Sequence, residues 1–146
     1  MSGRAILLVL AGLLASCSTS RARVHELHVD PDFTNEERAA LFSAAAKWNA
    51  VATSQILLTD DPAAHGEIVR RAPAHMNAFA TTERDHVEIS PGLPPEIFAH
   101  VAMHELGHVL RLDYSINGVM RCDGSTYPVD LSGEDIEECR RVEACE

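Results

Sequence analysis

Basic residues are scarce in this chain: 12 lysines and arginines stand against 22 aspartates and glutamates, for a net charge of −10. Without a cationic footprint, nucleic acid is excluded as a main partner. Electrostatic adhesion to anionic lipid is excluded with it. Long hydrophobic runs are also missing. The stretch from Ala5 to Ala15 has only 11 residues, and as a helix it covers roughly 16 Å, about half the hydrocarbon core of a bilayer. It is too short to span. No Cys-x-x-Cys pair occurs, so a zinc site built on cysteines is not expected. Internal repeats and low-complexity blocks are absent. What is present is ordinary: 46% apolar and 23% charged residues over 146 positions, enough for one domain around one core.

The N-terminus carries an address rather than structure. "MSGRAILLVLAGLLASC" has Arg4, an apolar stretch and small residues before Cys17, the layout of a secretory signal peptide. Leu14-Ala15-Ser16-Cys17 resembles a bacterial lipobox. That resemblance implies cleavage before Cys17, lipidation of its thiol, and an envelope lipoprotein facing periplasm or exterior. Ser18 fits sorting to the outer membrane. Residues 1–16 are thus expected to be a signal peptide, 17–23 a lipidated tether, and 24–146 the folded domain. Removing 1–16 takes away one arginine, so the mature charge is 11 − 22 = −11. Cys122, Cys139 and Cys145 remain and would meet an oxidising compartment, where a disulfide is expected. Three thiols allow one bond and leave one odd cysteine.

Along the domain, "VHELHV" alternates apolar and polar residues and predicts a first strand, stopped by Pro31. Thr34 and Glu37 form a capping-box pair, which opens a helix through Leu41, Ala45, Trp48 and Val51. "SQILLTDD" and "GEIVRRA" read as short strands parted by the turn-former "DDPAAHG", and "HVEIS" as another. "PGLPP" then breaks the chain. From Glu96 to about Leu110 an apolar segment predicts a mostly buried helix, and residues 111–131 read as irregular. Ser132 and Asp135 make a second capping box, opening a last helix through Ile136, Cys139 and Val142.

The buried helix contains "HELGH". Positions four apart share a helical face, so His104 and His108 can present two imidazoles to one metal. Glu105, beside them, is placed to take a proton from an activated water. A glutamate and two histidines on an apolar helix are costly to bury without such a role. His100 lies on the same face, but its distance from His108, about 12 Å along the axis, is too great for a shared metal. His25, His28, His65, His75 and His86 are scattered and read as surface or strand histidines.

"VAMHELGHVLRLDYSINGVM" resembles the zinc helix and methionine turn of the metzincins, most closely the matrixin-like bacterial members. The family pattern is H-E-x-x-H-x-x-G-x-x-H, followed by a methionine beneath the metal. His104, Glu105 and His108 match it, and Met120 matches the turn methionine. A weaker similarity in the order of elements runs over about residues 24–145. The resemblance implies an α+β, zincin-like fold with a twisted, mixed, mostly parallel sheet, a backing helix, a zinc-site helix and a C-terminal helix. It also implies a Zn2+ cofactor, a peptide or protein substrate, and an endopeptidase in which Glu105 activates water and protonates the leaving amine. Two positions depart from the pattern. Arg111 stands for the helix-ending glycine, and Tyr114 stands for the third histidine. A phenol, with its pKa near 10, is a poor zinc ligand, so the third ligand is left open between Tyr114, Asp113 and none. A glutamate of the last helix (Glu134, Glu137 or Glu138) would mimic the other zincin class. The competing expectation is a silent metzincin-like lipoprotein that binds a peptide or partner in the old cleft.

Overall fold

The computed structural model describes residues 22–73, 79–121 and 126–145. Five strands form one sheet: β1 (Val24–Val29), β2 (Gln55–Thr59), β3 (Gly66–Arg70), β4 (Ala80–Glu83) and β5 (His86–Ile89), in the order β2-β1-β3-β5-β4. Every neighbouring pair is parallel except β4 with β5, which is antiparallel and puts β4 at an edge. Three helices complete the α+β fold: α1 (Asn35–Asn49), α2 (Pro95–Val109) and α3 (Gly133–Cys145). None is long and apolar enough to cross a membrane among the described residues.

The alternation in β1 buries Leu27 and Val29, while β3 and β5 contribute Ile68, Val87 and Ile89 to the same core. α1 and α2 pack against each other. Leu41, Ala44, Ala45 and Trp48 come from the first, and Phe98, Val101, Ala102, Leu106 and Val109 from the second. Burying each Leu, Val or Phe among these is worth about 1.5–3 kcal/mol, so this contact is a main anchor of α2. The Trp48 indole N–H donates to the Met103 carbonyl at 2.8 Å, which fixes the two helices in register.

Both expected capping boxes are present. Thr34 and Glu37 exchange bonds at the start of α1, and Ser132 and Asp135 do so before α3. α1 ends at Asn49, so Val51, expected on the helix, packs half-buried from the turn beyond it. β4 has no counterpart in the sequence reading. "ATTE" has one small apolar residue, and its strand state comes from pairing with β5 rather than from its own pattern.

Candidate metal centre

α2 is buried nearly all round, from Val101 through Gly107. Its C-terminal end is turned sharply. The Leu112 N–H donates to the Gly107 carbonyl at 3.1 Å and the Arg111 N–H to that of His108 at 2.9 Å. These are the two bonds of a Schellman ending, with Arg111 at the left-handed position, φ 69°. The turn aims the Leu112 carbonyl back at α2, where it accepts from His108 Nδ1 at 2.8 Å.

His104 is anchored in the same manner, with Nδ1–H donating to the Val119 carbonyl at 2.8 Å. A carbonyl can only accept, so each ring carries its proton on Nδ1 and a lone pair on Nε2. Those two Nε2 atoms face each other at 3.1 Å. Two lone pairs at that separation repel unless a cation lies against both. Two nitrogens on one tetrahedral zinc would be about 3.3 Å apart, so the pair fits a shared zinc. A proton is the other small cation that could lie there; on His104, burial, aided by the neighbouring imidazoles and opposed by the Val119 bond, pushes the ring down to about 4, so near neutral pH that ring itself is not the proton's carrier. The neutral ring is the form that binds metal.

The third position is different. The Tyr114 ring lies against both imidazoles, with centroids 4.8 Å from His108 and 5.6 Å from His104. It is 63% exposed. No group of three His, Cys, Asp or Glu side chains able to hold a metal occurs among the described residues. Asp113 is exposed and joins no such group. Glu134 accepts from the Asn117 amide, and Glu138 is held by Arg141. His100 is buried with its Nδ1 on the Pro128 carbonyl at 2.8 Å and its ring against Tyr127. Tyr114 is thus the side chain of the 111–121 loop whose ring packs on the histidine pair.

Glu105 points from α2 toward edge strand β4. Its Oε2 accepts from the Thr82 hydroxyl at 2.5 Å. Burial raises Glu105 to about 7, and the Thr82 bond opposes the rise. The carboxylate borders a cleft of about 530 Å³ that runs between β4 and the end of α2, with Thr82, Arg84, His108, Arg111 and Tyr114 along it.

Met120 is buried beneath α2. A Cβ on Gly107 would overlap its sulfur, so glycine lets the helix and the methionine pack this closely without the Met120 side chain shifting. The turn holding Met120 is tied to α3 by Asp135, whose carboxylate accepts from the N–H groups of Val119 at 3.1 Å and Met120 at 3.3 Å. It also accepts from Ser132 N and Oγ at 2.8 and 2.7 Å. Asp135 is 1% exposed. The chain of contacts runs from α3 through the 118–120 turn to the ring of His104.

The other described histidines do not join this site. His25 is buried with Nδ1 on Asp85 at 2.9 Å, and His86 bonds Glu67 at 3.0 Å. His28, exposed His65 and His86 border a neighbouring hollow, which shares Arg84 with the cleft. His75, Cys17 and Cys122 lie outside the described residues, as does the side chain of Cys145, while Cys139 is fully buried. Sequence reasoning missed Thr82 and Arg84, which sit on and after the unread strand β4. It found Asp135 only as a helix cap. No known family matches the chain, and no curated protein matches it as a relative.

Proposed function

We propose that the protein is a zinc-dependent endopeptidase of metzincin-like, matrixin-like type, acting at the cell envelope. The observation that carries this reading is the facing pair of Nε2 atoms, 3.1 Å apart, on two rings whose Nδ1 protons are both committed to carbonyls. His104 and His108 would hold the ion, with Tyr114 as third ligand from the position where the family pattern has histidine. Bound there, zinc would polarise a peptide carbonyl and make water acidic near neutral pH. Glu105 accepts the proton that the attacking water loses and passes it to the departing amine nitrogen. A pKa of about 7 suits both halves of that transfer. Thr82 holds the carboxylate toward the cleft, and the outer edge of β4, unpaired among the described residues, offers an extended peptide backbone a partner. Export and the anchor at Cys17 rest on the lipobox-like N-terminus alone.

A second reading is favoured by one fact, that no third His, Cys, Asp or Glu joins the pair among the described residues. In that reading the cleft binds peptide without cleaving it. Full-length protein loaded with zinc and incubated with a mixed peptide library separates the two. We expect cleavage by the natural chain and a loss of at least about a hundredfold in Glu105→Gln, the loss expected on removing a general base. Peptide binding with no cleavage at full zinc occupancy would favour the silent module.

A further inference from the structure

Arg84 and Arg111 line the same cleft as Glu105, His108 and Tyr114. Both are exposed, and both are held at positive φ, 58° and 69°. An arginine is locally unfavourable at such a position, which glycine normally takes. Five other cations of the domain are engaged: Arg38 with Asp60, Lys47 with Asp130, Arg70 with Glu37, Arg71 with Glu88, and Arg141 with Glu138; exposed Arg140 on α3 also makes no ion pair among the described residues, but it lies outside the cleft. Arg84 and Arg111 make no ion pair and no side-chain hydrogen bond among the described residues. In a chain with 22 acids and 12 bases, partners for them are plentiful elsewhere on the surface. The two carboxylates on the same lining do not engage them either, since Glu105 is bonded to Thr82 and Asp113 bonds to neither arginine.

From this we infer that the cleft selects a carboxylate, with Arg84 and Arg111 gripping an acidic side chain or a free carboxyl end of the peptide held beside the histidine pair. The inference deepens the proposed function and rests on its reading of the cleft as a peptide site. Arginine suits the task because its planar fork of donors matches a carboxylate in two-point contact. The two arginines approach from different elements, Arg84 from the turn joining β4 to β5 and Arg111 from the end of α2. The carboxylate they share would therefore fix where along the cleft a peptide sits.

The test uses full-length Glu105→Gln protein, which does not consume its ligand, and three fluorescein-labelled pentapeptides. One is all alanine with an amidated end, one has a central glutamate and an amidated end, and one is all alanine with a free carboxyl end. Anisotropy is expected to show at least one carboxylate probe binding about tenfold tighter than the neutral one, as a charge-assisted two-point contact implies. Which probe gains identifies the source of the carboxylate. Adding Arg84→Gln or Arg111→Gln should remove most of that advantage. Arg111→Gly should remove it while raising the melting temperature, because glycine accepts the positive φ, so loss of grip is separated from loss of fold. Equal binding of all three probes, a preference that survives both substitutions, or no binding of any probe would overturn the inference. Zinc content is measured on the same samples. Zinc-loaded protein with no preference removes this inference alone, whereas zinc-free protein that still prefers carboxylate upholds it and removes the peptidase reading.

Discussion

His104 and Glu105 are neighbours on one helix, both buried, and burial pulls their proton affinities in opposite directions. The folded state holds His104 at about 4 against an ordinary 6.5. Its contribution to stability is present above about pH 6.5 and is lost as pH falls toward 4. The folded state holds Glu105 at about 7 against 4.5. Its contribution is fully present below 4.5 and is lost as pH rises through about 7. The two windows overlap and oppose each other, so the metal-free fold should carry a strained carboxylate above neutrality. We predict that Glu105→Gln, stripped of metal, is more stable than the natural chain by about 3 kcal/mol at pH 8, where a shift of this size is fully expressed. By about pH 4 the gap should close. Denaturant titrations at both pH values check this, and a gap independent of pH would contradict it. Thr82 acts on the same carboxylate from β4. Removing its hydroxyl in Thr82→Val favours the protonated acid, so the acid limb of a peptidase pH profile should move to higher pH with zinc content unchanged.

At the scale of elements, the site depends on three chain segments meeting: α2, the 111–121 loop and α3. Asp135 is the join. Its carboxylate takes four donors and is nearly wholly buried. Asp135→Ala would leave buried N–H groups without partners, at about 3 kcal/mol, and would loosen the Val119 carbonyl that orients His104. Chemical denaturation and zinc affinity should fall together in this variant. Stability loss without loss of zinc affinity would show that the turn does not position the ring. The same elements show what was legible in the sequence. β1 and β5 announced themselves by alternation, α1 and α3 by their capping boxes, and α2 by its apolar length and the spacing of His104 and His108. β4 was not legible, because "ATTE" becomes a strand through its neighbour β5. Thr82 was lost with it, and so was Arg84 in the following turn. Asp135 was legible as a cap but not as the support of Met120, since nothing local in the sequence links two residues 15 positions apart. Arg111 was read as standing for a helix-ending glycine, and the structure places it at the end of α2 at φ 69°.

At the scale of the molecule, the described residues form one sheet with α1 and α2 packed together over it and the cleft at the β4 edge. The chain's net charge of −10 repels anionic ligands at long range, an effect that salt screens within about 10 Å. Any selection for a carboxylate must therefore be local, which is what two unengaged arginines in the cleft provide. The global charge also favours uptake of a divalent cation. Zinc that binds only the folded chain raises its stability by about 4 kcal/mol at a thousandfold excess over Kd, so the metal and the fold should report on each other. The most direct test of the account is zinc stoichiometry and affinity on the full-length protein, set beside His108→Ala and Tyr114→Phe. One zinc per chain is expected in the natural protein, none retained by His108→Ala, and clearly weaker binding by Tyr114→Phe. Zinc that is absent from the natural chain, or that survives in His108→Ala, would contradict the account.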